Sequence, residues 1–176
     1  LTRRLKLQVN KDKSATDIVS KRKFLSFSFR LGKELRISLA KTASNRCKAK
    51  LRRLTSRTWG IDLPERIRRI NEYLRGWLQY FKLADTLSIF DKINGWMCRR
   101  LRQCLLKQWR MPKTRFKHLV KAGLDKELAA KLAGSSKGTW RLSLTPQLHI
   151  AFGKRYWQSQ GLLDLVEQYK LCRSSL

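Results

Sequence analysis

The sequence predicts a mainly α protein: a bundle of three helices, preceded by a small antiparallel β ribbon and followed by a smaller helical unit. Three observations predict it. Apolar residues recur at three- and four-residue steps in three successive stretches between Ser44 and Trp109. Ahead of them lie short β-rich runs separated by turn residues. Behind them Met111-Pro112 breaks the pattern, and the apolar segments become shorter. With 176 residues and 42% hydrophobic content the chain can bury a core, as one domain or two small ones. Helices joined by short loops usually pack antiparallel, so three matching stripes close one core.

In the ribbon, Leu5, Leu7 and Val9 alternate with Lys6 and Gln8, the period of a half-buried strand, and Asn10 to Asp12 supply a turn. A second strand is expected over Phe24 to Phe29, a turn over Leu31 to Glu34, and a third strand over Leu35 to Leu39. Three short strands rarely hold alone, so more sheet is expected on the N-terminal side.

The first helix is expected from Ser44 to Thr58. Cys47, Leu51 and Leu54 lie on one side, with Arg46, Lys48, Lys50, Arg52, Arg53 and Arg57 around the rest; Trp59 and Gly60 should end it. The second runs from Pro64 to Phe81 with Ile67, Ile70, Leu74, Trp77, Leu78 and Phe81 on one face. Pro64 suits a first turn, where its missing N–H has no partner to lose. Arg66, Arg68, Arg69 and Arg75 point away from the stripe, and Gly76, unfavourable in a helix, predicts that a backbone or ligand packs closely there. The third helix spans Leu87 or Ser88 to Trp109. It buries Phe90, Ile93, Met97, Leu101, Cys104 and Leu105 and presents Arg99, Arg100, Arg102, Lys107 and Arg110. Trp96 and Trp109 are candidates to stack on exposed bases, with core packing the expected fate of at least one.

In the last unit Phe116, Leu119 and Val120 mark a short helix ended by Gly123, and Asp125 caps another over Leu128 to Ala133. Gly134 to Gly138 reads as a loop and Trp140 to Leu144 as extended. Thr145-Pro146 begins a helix carrying Leu148, Phe152 and Tyr156, and Gly161 opens a final segment with Leu162, Leu165, Val166 and Tyr169.

Charge narrows the function. Forty-one Lys and Arg against twelve Asp and Glu give +29, a self-repulsion that calls for a polyanion or an acidic surface. Ten per cent aromatics with six Trp argue against a disordered basic tail. No run of about 18 apolar residues is present to span a membrane, and no signal-peptide pattern opens the chain. A folded nucleic-acid binder is therefore expected, with an anionic membrane the weaker alternative. From Asp125 onward eight basic and four acidic residues give +4, which leaves +25 on residues 1–124. No acid occurs from Leu35 to Ile61 or from Lys92 to Leu124. A solvated helix normally mixes signs, because like charges four residues apart repel, so these runs favour phosphate contact.

Cys47, Cys98, Cys104 and Cys172 form no zinc spacing and read as packed thiols of a reducing, cytoplasmic protein. His118 and His149 are isolated. No catalytic residue, metal-ligand set or cofactor site is expected in this chain.

Leu5 to Ser14 and Lys23 to Phe29 together resemble the last palm motifs of group II intron reverse transcriptases. The second motif usually reads F-L-G-F there, in a hairpin that grips the primer; here Phe24, Leu25, Ser26 and Phe27 occupy it, with Ser26 at the glycine position. Leu74 to Phe81, LRGWLQYF, is similar to the L-R-G-W-x-x-Y-F signature of the maturase-specific region, the thumb or X domain. Trp109 to Arg115, Gly138 to Ser143 and Tyr156 to Leu163 resemble the C-terminal part of the bacterial enzymes. The resemblance implies palm end over 1–40, a thumb/X maturase domain over 41–110, and a C-terminal helical DNA-binding region over 111–176. It also implies group II intron RNA, template/primer and target DNA as partners. RNA contact is expected from the basic residues of the three helices, and DNA contact from Lys113, Arg115, Lys117 and Lys121. Mg2+ is implied for the parent polymerase through a paired-aspartate motif that would precede Leu1. Rival readings are a structural RNA binder of ribosomal-protein type and a polymerase thumb with no splicing role.

Overall fold

The computed structural model describes residues 17–32 and 34–174. The strand expected over Leu5 to Val9 lies outside them. A 3-10 turn over Val19–Lys21 leads into an antiparallel sheet, β1 (Lys23–Phe24), β2 (Phe27–Arg30) and β3 (Arg36–Leu39), in the order β1-β2-β3. Phe24 pairs with Phe27, and Phe27 with Leu39. The strand expected over Phe24 to Phe29 is thus two strands joined at Leu25 and Ser26. Both residues have positive φ, +47° and +68°, the twist a two-residue hairpin requires.

Three long helices follow: α1 (Lys41–Leu54), α2 (Leu63–Phe81) and α3 (Leu87–Gln108). α1 starts and ends earlier than the sequence suggests. Thr55 closes it by donating its N–H to Leu51 O at 2.8 Å and its hydroxyl to the same oxygen at 2.6 Å, so Trp59 and Gly60 belong to the connecting loop. α2 begins as expected, with Pro64 in its first turn and Asp62 accepting the Glu65 N–H at 3.1 Å. Ile67, Ile70, Leu74, Leu78 and Phe81 are buried along it, and the expected inner face of α3 is buried from Phe90 to Leu105.

The shorter helices are α4 (Pro112–Lys121), α5 (Lys126–Ala133), α6 (Thr139–Leu142), α7 (Pro146–Ala151), α8 (Lys154–Ser159) and α9 (Leu165–Ser174). Gly123, at φ +87°, ends α4 as expected, and Asp125 caps α5 through the N–H groups of Glu127 and Leu128. Two expectations change. Trp140 to Leu144 is a helical turn and bend rather than extended, since Leu142 and Ser143 N–H bond back to Gly138 and Thr139. The helix expected through Leu148, Phe152 and Tyr156 breaks at Gly153, where a Cβ would lie 2.9 Å from His149 O.

One apolar cluster runs from Cys47 and Leu51 through α2 and α3 to Leu119, Leu142, Phe152, Trp157 and Tyr169. α9 packs against both α2 and α3. A smaller cluster of Leu39, Ala43, Phe81 and Ala84, with Phe27 against it, fastens the sheet to the helices. No described helix is long and apolar enough to cross a membrane.

Candidate nucleic-acid interface

The basic residues of the three long helices divide into structural staples, ion-paired arginines and outward-facing cations. Arg66 and Arg102 are each only 2% exposed, so neither is available to RNA as expected. Arg66 lies under the loop after α1 and donates from Nη1 to Leu54 O (2.8 Å) and Ser56 O (3.0 Å) and from Nη2 to Trp59 O (2.8 Å). Arg102 donates to Ser143 O and Phe152 O, both at 3.0 Å. Burial pulls its pKa below the usual guanidinium value, yet it remains a cation.

Arg100 and Arg99 are half-buried staples. Arg100 bonds the hydroxyl and carbonyl of Thr55 and the carbonyl of Arg52, closing the C-terminal end of α1 onto α3. Arg99 bonds Trp140 O at 3.2 Å and lies 3.6 Å over the Trp140 ring. These four arginines therefore hold helix ends, a loop and turns together, where the sequence predicts RNA contacts.

Arg68 and Arg69 are exposed but not free. Glu65 accepts from Arg68 Nε at 2.7 Å and from Arg69 Nε at 2.6 Å, and Glu72 adds a longer pair with Arg68 at 3.4 Å. The hydrogen bonds from Arg68 and then Arg69 hold the Glu65 carboxyl down at about 2. The sequence carries the signal for this pairing: an acid three and four residues before two arginines on one helix.

What remains outward-facing is a coherent set. Arg46, Lys50, Arg52, Arg53 and Arg57 are exposed on and just after α1, with Lys48 half-buried beside them. Arg75, Lys107 and Arg110 are exposed on α2 and at the end of α3. Arg57 and Lys107 line one groove of about 480 Å³, which joins the basic end of α1 to that of α3. α4 then presents Lys113, Lys117 and Lys121 at steps of four, a stripe of exposed cations. Arg115 stands apart, half-buried, with Nη1 on Ala133 O at 3.2 Å.

The aromatic residues are mostly committed. Trp109 stacks on His118 at 4.6 Å and 7° and is only 9% exposed, which removes it as a platform for bases. Trp96 is half-buried beneath two cations, with Arg52 at 6.0 Å and Arg100 at 5.6 Å from its ring centroid. Trp59 holds Arg69 and Arg66 similarly, at 5.0 and 5.6 Å.

The LRGWLQYF segment joins sheet to bundle. Tyr80 donates its hydroxyl to Leu25 O at the hairpin tip (3.1 Å) and stacks on Phe27, while Phe81 meets Phe27 edge-on at 5.3 Å. Trp77 packs edge-on against Phe90. No other chain segment crowds Gly76: a Cβ there would meet nothing within 4 Å, so the expected close neighbour is absent among the described residues. Gly76 instead lines an open groove of about 530 Å³ with Ser26, Arg46, Tyr73 and Tyr80.

Residues 44–123 match the family model for the maturase-specific domain of group II introns. This segment is a group II intron maturase-specific domain. It runs from the first turn of α1 to the glycine that ends α4, and so holds both acid-free basic surfaces. No curated protein matches the chain. A maturase domain implies a role in binding intron RNA for splicing.

Among the described residues no group of three or more His, Cys, Asp or Glu side chains could hold a metal ion. Burial pushes the Cys47 thiol up to about 12 and the Cys98 thiol up to about 11, far from reactive thiolates.

Proposed function

We propose that this chain holds a folded group II intron RNA in its splicing-competent form, with the RNA performing the cleavage and ligation. The observation that carries the reading is the acid-free cationic surface of α1, continued past Arg57 and Lys107 to α4, on a maturase-specific domain. Lys and Arg on phosphates supply affinity, because A-form grooves offer side chains little else to read. The hairpin at Leu25 and Ser26, docked on Tyr80, would serve as a primer grip, and α2 and α3 would flank a template/primer duplex during intron mobility.

A second contact is favoured by one feature. The Lys113, Lys117 and Lys121 stripe is exposed along α4, and it would meet target DNA. Arg115, bonded to Ala133 O, would position α4 rather than touch the nucleic acid.

Competition binding at physiological salt tests the main reading. The chain should prefer a group II intron over an unrelated structured RNA of equal length. Equal affinity for the two would leave only a general RNA binder.

A further inference from the structure

Arg66 is a buried cation without a counter-ion. No carboxylate among the described residues pairs with it, and its terminal nitrogens donate to three neutral carbonyls that fix its plane without cancelling its charge. Its Nε is buried and has no hydrogen-bond partner among the described residues. Buried charges in folded proteins are normally paired, and a buried donor normally finds an acceptor.

Arg66 also lines a groove. Arg57 and Lys107 line the same space of about 480 Å³, together with Trp59, Gly60, Asp62 and Gln108. Asp62 is the one carboxylate lining it, and that side chain already accepts the Glu65 N–H as the cap of α2. Three cations against one engaged acid leave a concave site with charge +2.

We infer that this groove binds one phosphate group of an RNA backbone, with Arg57 and Lys107 on its oxygens and the buried, uncompensated charge of Arg66 behind them. Phosphate offers several acceptor oxygens to donors arriving from different elements, which suits three cations from the loop after α1, from α2 and from α3. The inference rests on the RNA-binding reading above and goes further by naming one anchoring point. A bound phosphate would also tie the α1–α2 loop to the end of α3.

The test uses the 176-residue chain and the double variant Arg57→Gln/Lys107→Gln, whose changes fall on exposed side chains and leave Arg66 in place. Lys131→Gln/Lys170→Gln, also exposed, is the charge-matched control. Inorganic phosphate at low millimolar concentration should raise the unfolding midpoint of the parent and the control saturably, beyond chloride at equal ionic strength. The groove variant should lose that rise. Its RNA affinity should fall about tenfold, and its dependence of log K on log salt should flatten by about 0.7 to 0.9, one phosphate's worth, while the control changes less. Stabilisation by phosphate in the groove variant, or none in the parent, overturns the site. Equal RNA affinity in groove variant and control overturns the RNA backbone as the source and leaves a site for free phosphate. A parent that binds phosphate here yet shows no preference for intron RNA sinks the maturase reading and not the site.

Discussion

Arg102 and Arg75 look alike in the sequence, each an arginine beside an apolar stripe, and the fold gives them opposite tasks. Arg102 ties two buried turns to α3, so Arg102→Ala strands the carbonyls of Ser143 and Phe152 and should cost about 3 kcal/mol in urea unfolding. Arg75 is exposed and has no polar partner among the described residues; Arg75→Ala should leave stability unchanged and weaken RNA binding. A stable Arg102→Ala protein would contradict its role as a staple. Glu65 gives a second outcome at this scale. Its carboxyl is held at about 2, below the ordinary 4.5, so its contribution to stability is present above pH 4.5 and is lost as pH falls towards 2. The stability difference between the parent and Glu65→Gln should therefore be constant near neutrality and shrink in acid. At neutral pH the same variant frees Arg68 and Arg69, and its RNA affinity should rise with a steeper salt slope. Periodicity tells which residues face away from the core of one helix. It cannot tell that the carbonyls of a turn about 40 residues later will arrive there, which is why it misplaces Arg102 while the local Glu65 pairing is legible.

Elements with strong end signals are legible in the sequence, and those whose limits depend on distant packing are not. α2 and α3 fall where the apolar period puts them, and Pro64 marks the first turn of α2 as expected. α7 and α8 carry a continuous helical pattern and are split at Gly153, where a Cβ would crowd His149 O, a local backbone turn that apolar spacing does not report. The hairpin is the sharpest case. Its tip has Leu and Ser instead of the Asn-Gly or Asp-Gly that announces such a turn, so the β-rich run of Phe24, Leu25 and Phe27 reads straight through it, and only the resemblance to the F-L-G-F motif implies a hairpin there. Ser26 at φ +68° has the conformation glycine adopts most easily. Ser26→Gly should therefore stabilise the hairpin by about 0.5 to 1 kcal/mol, the relief of left-handed strain less glycine's greater unfolded-state entropy. Amide exchange protection of Phe27 and Leu39 would report it, because those residues pair next to the turn. Faster exchange in the variant would show that the Ser26 side chain contributes more than its backbone conformation costs.

At the scale of the molecule, the break at Met111-Pro112 separates helices while the hydrophobic core continues across it. Leu119, Leu142, Leu148, Phe152, Trp157 and Tyr169 are buried in the same cluster as Leu51, Leu74 and Leu101. Polar ties cross in parallel: Asn71 bonds Gly161 O at 2.7 Å and the Leu163 N–H at 2.9 Å, Asn94 accepts from Leu165 N–H, and Tyr169 donates to Ala84 O at 3.0 Å. The Lys154–Asp164 pair sits at this junction too. Burial alone would raise the Asp164 carboxyl, but Lys154 at 2.7 Å and the N–H groups of Glu167 and Val166 hold it below its usual value. The basic surface of α1 and α3 thus stands on helices whose other faces need the C-terminal half. Removing residues 111–176 would uncover Leu105, Leu106 and Trp109 and leave Arg102 without either carbonyl. The remaining fragment should lose cooperative unfolding and bind RNA with only a salt-sensitive, sequence-indifferent affinity, because its cations survive and their arrangement does not. Circular dichroism through a urea titration, paired with the intron competition assay, measures both. A fragment with a sharp transition and undiminished preference for the intron would show that α1 to α3 fold and recognise RNA unaided.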